Sequence, residues 1–284
     1  MLEKYITPLT LNGIQLDYTK ETFIMGILNV TPDSFSDGGK YDNVEAAVKQ
    51  AKKMVAEGAK IIDVGGESTR PGYQRISDEE EIARIVPVIK ALLEEVPAII
   101  SVDTYKANVA RAAIEAGAHI INDIWGAKSE PEIAQVAADL HVPIILMHNR
   151  ESKEYGENFW ATAKADLEES IAIAHRAGVP DSHIILDPGI GFAKTTMQNI
   201  EMMQHLDDLV AMGYPVLLAT SRKSMIGNVL KLPVEERVEG TSATVVYGIE
   251  KGCHMMRVHD VKEMARATYM TDVLVGKRTY KEEV

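Results

Sequence analysis

The chain has 284 residues, with 30 basic and 42 acidic side chains, a formal net charge of −12 and a pI near 5.2. Hydrophobic residues make up 46% and charged residues 25%, which excludes a disordered or fibrous protein. The acidic balance argues against nucleic acid or an anionic membrane as a partner. The single cysteine, Cys253, excludes a disulfide framework. Because no apolar run is long enough to span a bilayer and no signal-peptide pattern begins the chain, we expect a cytoplasmic protein.

A unit of about 33 residues recurs along the chain: a β-branched apolar run, a polar or glycine-rich loop, and an amphipathic helix. Runs that are apolar throughout are typical of parallel strands covered on both faces. The eight runs begin near Phe23, Lys60, Ala98, His119, Pro143, His183, Pro215 and Cys253. Helical patterns include Val44–Glu57, Asp78–Glu95, Lys106–Glu115, Thr162–Ala177, Met225–Leu230 and Val261–Val275.

Glycine after a helical pattern predicts a left-handed helix cap. Five units carry one before the next run: Gly58, Gly117, Gly178, Gly213 and Gly252. This alternation also fits an open, doubly wound sheet, but the number eight favours an α/β fold of the (β/α)₈ or TIM-barrel type. We find no linker and predict one domain over residues 1–284, with a barrel in 20–284. Within residues 1–19, Asn12-Gly13 predicts a β-hairpin turn, and the hairpin could close the bottom of the barrel.

Each predicted strand ends in a group able to do chemistry. These groups are Asn29, Asp63 with Glu67, Asp103, Asn122 with Asp123, His148, Asp187, Ser221 with Lys223, and Arg257 with His259. Any one of them could be a turn or capping residue, but a barrel brings all eight strand ends to one face, where the active sites of this fold lie. The sequence therefore predicts a polar site there. For His148 two interpretations stay open, a buried residue or a ligand contact.

Cationic residues lie in two predicted loop regions, one after the second strand and one after the last two strands. Arg70 lies between small or rigid residues after the second strand, which suits a mobile segment. Ser224, Arg257 and His259 follow the last two strands, the usual phosphate site of such barrels, and they form a candidate anion cradle. For a single cation, a surface salt bridge is the alternative.

Five segments resemble the signatures of the dihydropteroate synthase family. They are residues 29–38 (NVTPDSFSDG), 65–72 (GGESTRPG), 187–192 (DPGIGF), 221–224 (SRKS) and 257–261 (RVHDV). The resemblance extends from about Phe23 to Val275, although Met225 stands where an aromatic is common in the family. It implies a (β/α)₈ barrel that joins 4-aminobenzoate to 6-hydroxymethyl-7,8-dihydropterin diphosphate and releases pyrophosphate, in folate biosynthesis. It also implies Mg²⁺, a homodimer and a sulfonamide target.

The resemblance implies a role for each matching residue. The pterin positions are Asp103, Asn122, Met147, Asp187, Gly191 and Lys223. The diphosphate positions are Asn29, Arg70, Arg257 and His259, and Asn29 also matches the Mg²⁺ contact. The 4-aminobenzoate positions are Phe35, Thr69, Pro71, Phe192 and Ser224. The catalytic candidates are Asp37, Arg70, Asp103 and Lys223.

The residue types suit this chemistry. A carboxylate such as Asp187 and an amide such as Asn122 match the donor edge of a pterin. Departure of diphosphate needs positive charge and a metal ion. The carboxylate of Asp103 can favour a methylene cation as the C–O bond breaks, so we expect an SN1-like path. Asp37 could assist either the cation or the amine.

Two other functions remain open. The barrel of corrinoid-dependent methyltransferases is similar at the fourth and sixth strands, but it lacks the basic site of the last two loops, and this chain has no cobalamin module. A regulatory protein that keeps the pocket without turnover is the second. Pyrophosphate release in the presence of both substrates separates these readings.

Overall fold

A computed structural model of the chain describes residues 4–31, 40–67 and 75–280. The strands are β1 (Leu9–Leu11), β2 (Ile14–Leu16), β3 (Phe23–Asn29), β4 (Ile61–Gly65), β5 (Ile99–Asp103), β6 (Ile120–Asp123), β7 (Ile144–Met147), β8 (Ile184–Asp187), β9 (Leu217–Leu218) and β10 (Met255–Val258). The helices are α1 (Lys40–Ala56), α2 (Asp78–Glu95), α3 (Ala107–Glu115), α4 (Glu132–Asp139), α5 (Phe159–Ala177), α6 (Thr196–Gln204), α7 (Leu206–Val210), α8 (Ser224–Leu230), α9 (Val238–Glu250) and α10 (Val261–Leu274).

Strands β3 to β10 form one parallel sheet in the order β8-β7-β6-β5-β4-β3-β10-β9. A parallel bridge between Leu186 and Val216 joins the two ends of that order and closes the sheet. The predicted (β/α)₈ barrel is therefore confirmed. The seventh strand of the barrel is β9. It has only two residues and begins after the predicted start at Pro215.

The helix boundaries follow local capping chemistry. The Ser77 side chain accepts a hydrogen bond from the Glu80 amide and starts α2 where the sequence predicts it. Asn158 caps α5 in the same way, so this helix begins at Phe159, three residues before the predicted start. All five predicted glycine caps have positive φ angles, between 91° at Gly213 and 117° at Gly58.

On most strands of the barrel the inward-facing residues change from apolar to polar toward the carboxyl end. Side chains two residues apart on a strand share a face, so Ile61 and Asp63 both point inward, as do Ile120 and Asn122. The inward apolar layer near the strand starts consists of Phe23, Met25, Ile61, Ile99, Ile120, Ile145, Ile185, Leu217 and Met255. The outward-facing residues pack against the helices. This pattern leaves the carboxyl end of the barrel for polar side chains.

The predicted hairpin closes the amino end of the barrel. Leu9, Leu11 and Ile14 of β1 and β2 pack against the inward apolar layer. Asn12 and Gly13 both have positive φ, as a tight hairpin turn requires. The Asn12 amide donates a hydrogen bond to the Ala98 carbonyl, 2.8 Å away, at the foot of β5. Within the described ranges, none of the helices combines the length and the apolarity needed to cross a bilayer.

A buried histidine at the foot of β10 makes stability depend on pH. His254 is 5% exposed and its Nδ1 accepts a hydrogen bond from the Val216 amide at 3.0 Å. Burial lowers the pKa of His254 to about 3, whereas a histidine in the unfolded chain has a pKa of about 6.5. The unfolded chain therefore binds a proton that the folded chain excludes, and stability falls as the pH drops from about 6.5 toward 3.

We predict that the stability of His254→Asn falls less at low pH than that of the wild type, because asparagine keeps an acceptor but cannot be protonated. Between about pH 7 and pH 5 the variant should lose ~2 kcal/mol less unfolding free energy than the wild type. Urea unfolding at both pH values measures this, with the half-exposed His175→Asn as the control. Identical pH dependence in the wild type and His254→Asn would show that His254 does not act as described.

Candidate active site

Two polar side chains at the carboxyl end of the barrel, Arg257 and Asn122, share the carboxylate of Asp63. Arg257 donates from Nε to Asp63 Oδ2 at 2.7 Å and from Nη2 to Asp103 Oδ2 at 2.6 Å. Asn122 Nδ2 also donates to Asp63 Oδ2, at 2.9 Å. Asp63 thus fixes both the guanidinium and the amide. The sequence marks Asp63 only as a strand end, and its two partners lie far away along the chain.

Three ionisable groups at this carboxyl end, the mouth of the barrel, have pKa values displaced toward neutrality. Burial raises the pKa of Asp103 to about 7, against the opposing effect of Arg257. Burial likewise raises the pKa of Asp187 to about 6 and lowers the pKa of Lys223 to about 8. For Arg257, burial lowers the pKa, but Asp63 and Asp103 outweigh that effect and raise it. Perturbed groups gathered in one cleft are typical of a functional site.

The loop after β8 borders Lys223. Asp187 Oδ1 accepts a hydrogen bond from the Gly189 amide at 2.7 Å, at the start of this loop. Farther along it, the Phe192 ring centroid lies 4.4 Å from Lys223 Nζ, a cation–π contact. Gly191 has a φ of +88°, and a Cβ there would lie 3.0 Å from Lys223 Cδ. Met147 is buried beside this loop and packs with Phe192, so the predicted pterin and aminobenzoate positions adjoin.

Asn29 ends β3 at the rim, and its side chain is exposed. A Cβ placed on Gly65 would lie 3.6 Å from Asn29 Oδ1 and 3.7 Å from Asp103 Oδ2, so two oxygens flank this glycine. Among the described residues, no three His, Cys, Asp or Glu side chains are grouped to hold a metal ion. A cation at this rim would therefore depend on oxygen atoms of a bound substrate as well.

The predicted anion cradle of Ser224, Arg257 and His259 contains one positively charged side chain. His259 donates its amide to Ser221 Oγ at 3.0 Å, and its Nδ1 lies 2.9 Å from the same oxygen. Burial lowers the pKa of His259 to about 4, so the imidazole is neutral at pH 7. Ser224 is exposed at the first position of α8. Arg257 is thus the cation of this group, and it is already paired with two carboxylates.

Two of the strand-end candidates, His148 and Glu67, already form hydrogen bonds within the protein. His148 is buried, and its ring nitrogens lie 2.8 Å from Lys194 Nζ and 3.0 Å from Asp166 Oδ2. Glu67 accepts from the fully buried ammonium of Lys106 at 2.6 Å. Five other candidates lie outside the described residues: Phe35, Asp37, Thr69, Arg70 and Pro71.

The fold and the site define a (β/α)₈ enzyme with buried carboxylates, an amide and two cations at its carboxyl mouth. Residues 25–259 match the family model described as pterin binding enzyme. The chain is 59% identical over 259 residues to dihydropteroate synthase of Clostridium beijerinckii, covering 91% of this chain and 96% of that one. It is 57% identical over 262 residues to dihydropteroate synthase of Bacillus subtilis, covering 92% of each. The chain belongs to the pterin binding enzymes and, within them, to the dihydropteroate synthases, transferases of folate biosynthesis.

Solved structures agree with this assignment. A Clostridium difficile dihydropteroate synthase crystallised in the presence of pteroic acid has a TM-score of 0.89 at 48% identity, covering 91% of this chain and 98% of that one. A Xanthomonas albilineans dihydropteroate synthase with 4-aminobenzoic acid has a TM-score of 0.89 at 39% identity, covering 94% and 98%. A Yersinia pestis dihydropteroate synthase with a sulfonamide drug has a TM-score of 0.87 at 39% identity, covering 96% and 100%.

We predict that Arg257→Ala destabilises the fold, because it leaves Asp63 and Asp103 in the barrel without their cation. Breaking a buried ion pair costs about 3 kcal/mol or more. Urea unfolding measures the loss. The matched control is Arg222→Ala, which breaks a more exposed pair with Asp260 and should cost about 1 kcal/mol or less. Equal losses in the two variants would show that the Arg257 pairs are not the buried support described.

Proposed function

We propose that this chain joins the amine of 4-aminobenzoate to the methylene of 6-hydroxymethyl-7,8-dihydropterin diphosphate, giving 7,8-dihydropteroate and pyrophosphate. The observation that carries the proposal is the mixed set of donors and acceptors at the mouth, from Asp103, Asn122, Asp187 and Lys223. A pterin offers donors and acceptors on the same ring. The pteroic acid and 4-aminobenzoic acid in the related structures support the same substrates.

The pterin edge fits the free positions of two side chains. Asp187 uses Oδ1 for the Gly189 amide, and its Oδ2 has no hydrogen-bond partner among the described residues. Asn122 Nδ2 donates to Asp63, so the amide oxygen of Asn122 points away from that carboxylate. A carboxylate oxygen and an amide together recognise a guanidine-like edge. Lys223 Nζ supplies a donor for a ring acceptor.

The bond changes follow from the charges. The C–O bond of the methylene breaks and its electron pair leaves with the diphosphate, producing a methylene cation that the dihydropterin ring stabilises. Asp103, where it is ionised, favours that cation. The lone pair of the aminobenzoate nitrogen then forms the C–N bond, and the nitrogen loses a proton afterwards, so a strong general base before attack is unnecessary. This is an SN1-like path.

Positive charge at the rim assists departure of the diphosphate. Arg257 Nη1 has no hydrogen-bond partner in the described part of the chain, so one edge of the guanidinium is open to an anion. Mg²⁺ prefers oxygen ligands and usually shares them with substrate phosphates, and the rim oxygen of Asn29 fits that preference. Asn29 would hold the ion, which would neutralise negative charge on the leaving group.

The aminobenzoate position is proposed beside Phe192 and Ser224, and a sulfonamide would compete for it, as the drug complex of the Yersinia pestis relative suggests. We further propose a cytoplasmic homodimer. Support for the dimer comes from exposed apolar side chains on α8 and α10, including Val229, Met270 and Leu274. The single cysteine, Cys253, is buried and free, which suits a reducing compartment.

Purified protein supplied with both substrates and Mg²⁺ tests the proposal. We expect equal amounts of pyrophosphate and 7,8-dihydropteroate, measured by a coupled phosphate assay and by mass spectrometry, and no pyrophosphate when both substrates are absent. Pterin binding without pyrophosphate release would instead indicate a binding protein. Methyl transfer from a methylated pterin would indicate the corrinoid-dependent class.

We predict that Asp187→Asn weakens the binding of a non-reacting pterin by about 2 kcal/mol, roughly 30-fold, because one acceptor is replaced by a donor facing the pterin donors. Titration calorimetry measures the affinity. Asp208→Asn, a substitution at an exposed carboxylate on α7, serves as the control and should bind like the wild type. An unchanged affinity in Asp187→Asn would remove this carboxylate from the pterin site.

A further inference from the structure

The loop after β8, which borders the proposed aminobenzoate position, contains a buried lysine. Lys194 follows β8 by seven residues and is 4% exposed. Its ammonium contacts three acceptors: His148 Nδ1 at 2.8 Å, the Gly189 carbonyl at 2.9 Å and the Phe192 carbonyl at 3.1 Å. Burial lowers the pKa of Lys194 to about 7, and its protonated form has three N–H groups, one for each of these acceptors. Lys194 has no role in the reaction described above.

The ammonium is anchored to the helical layer. Because His148 Nδ1 accepts from Lys194, the ring proton lies on Nε2 and is donated to Asp166 Oδ2 at 3.0 Å. Asp166 lies on α5, and Arg150 approaches the same carboxylate at 3.5 Å. The hydrogen-bonded series therefore runs from a helix outside the barrel to the loop after β8.

The loop after β8 folds around this ammonium. Gly189 and Gly191 have φ angles of +65° and +88°, and Ala193 has +45°. The tight path brings the Gly189 and Phe192 carbonyls to the same donor, and a Cβ on Gly189 would lie only 1.9 Å from the His148 carbonyl oxygen. Without the ammonium, two loop carbonyls and a buried imidazole nitrogen would lose a donor, which is costly inside a protein.

The same loop sets the position of an aromatic ring in the site. Lys194 donates a hydrogen bond to the Phe192 carbonyl, and the Phe192 ring centroid lies 4.4 Å from Lys223 Nζ. The preceding residue, Gly191, donates its amide to Asn199 Oδ1 at 2.7 Å. We propose that Lys194 is a positioning residue: its ammonium holds the loop after β8 so that the Phe192 ring forms one wall of the aminobenzoate site against Lys223. This inference rests on the proposed function for the identity of the ligand.

Steady-state kinetics of Lys194→Met test the proposal, because methionine keeps an unbranched side chain and removes every donor. We expect the KM for 4-aminobenzoate to rise ~10-fold or more, while the affinity for a non-reacting pterin stays within about 3-fold. Lys164→Met, at an exposed lysine of α5 paired with Glu168, is the control and should match the wild type. Lys194→Gln, which keeps an N–H donor group, should fall between the two. Equal losses for both substrates, or no loss, would overturn the proposal.

A double-mutant cycle separates positioning from general structural support. If Lys194 acts through the Phe192 ring, Lys194→Met should raise the KM for 4-aminobenzoate no further once Phe192→Ala is present. Additive effects of the two substitutions would show that Lys194 acts by some other route.

Hydrogen exchange tests the loop independently of catalysis. The amides of Gly191 and Phe192 are bonded to Asn199 Oδ1 and the Gly189 carbonyl, so they should exchange at least ~10-fold faster in Lys194→Met than in the wild type or Lys164→Met. Unchanged exchange would contradict the proposed tether whatever the activity. If the wild type releases no pyrophosphate but the exchange still rises in Lys194→Met, the proposed function fails and the positioning of the loop stands.

Discussion

Several ionisable side chains share the mouth of the barrel, and the cost of removing their charges from water governs the structure around them. Arg257 meets that cost by pairing with Asp63 and Asp103 at once. The pKa values of Asp103, Asp187 and Lys223 move to about 7, about 6 and about 8. The pocket can thus offer hydrogen-bond donors and acceptors without a large net charge, which suits a polar heterocycle.

The barrel can hold this cluster because its two ends are built differently. The amino end is an apolar layer closed by the hairpin. Two residues farther along several strands the inward position is polar, as from Ile61 to Asp63 and from Met255 to Arg257. The apolar layer excludes water from below, which strengthens the electrostatic interactions above it. The helices outside then fix the loops, as Asp166 on α5 does through His148.

Much of the fold follows from spacing within the sequence. Eight apolar runs, five glycine caps and the Asn12-Gly13 turn are local signals, and the structure confirms each. The strand-end rule also places Asn122, Asp187 and Lys223 around one mouth, since parallel strands in a barrel all point the same way. Local patterns of this kind report which face a side chain occupies.

Partners across the barrel could not be predicted from those patterns. The sequence predicts that Arg257 binds an anion. In the structure its guanidinium also pairs with two carboxylates, one from β4 and one from β5. The ambiguity at His148 is resolved only by Lys194 and Asp166, which reach it from a loop and a helix. Such pairings depend on how distant elements pack, and spacing along the chain does not encode that directly.

Titration of the side-chain carboxyl carbons of Asp103 and Asp187 by ¹³C NMR measures the cost of burying each charge, because each midpoint is the pKa of the carboxyl group observed. Substitution of each residue by Asn assigns its signal. We expect midpoints near 7 for Asp103 and near 6 for Asp187 in the free protein. Midpoints at the ordinary aspartate value of about 4 for both residues would show that the mouth is hydrated and that burial does not set the charges of these carboxyl groups.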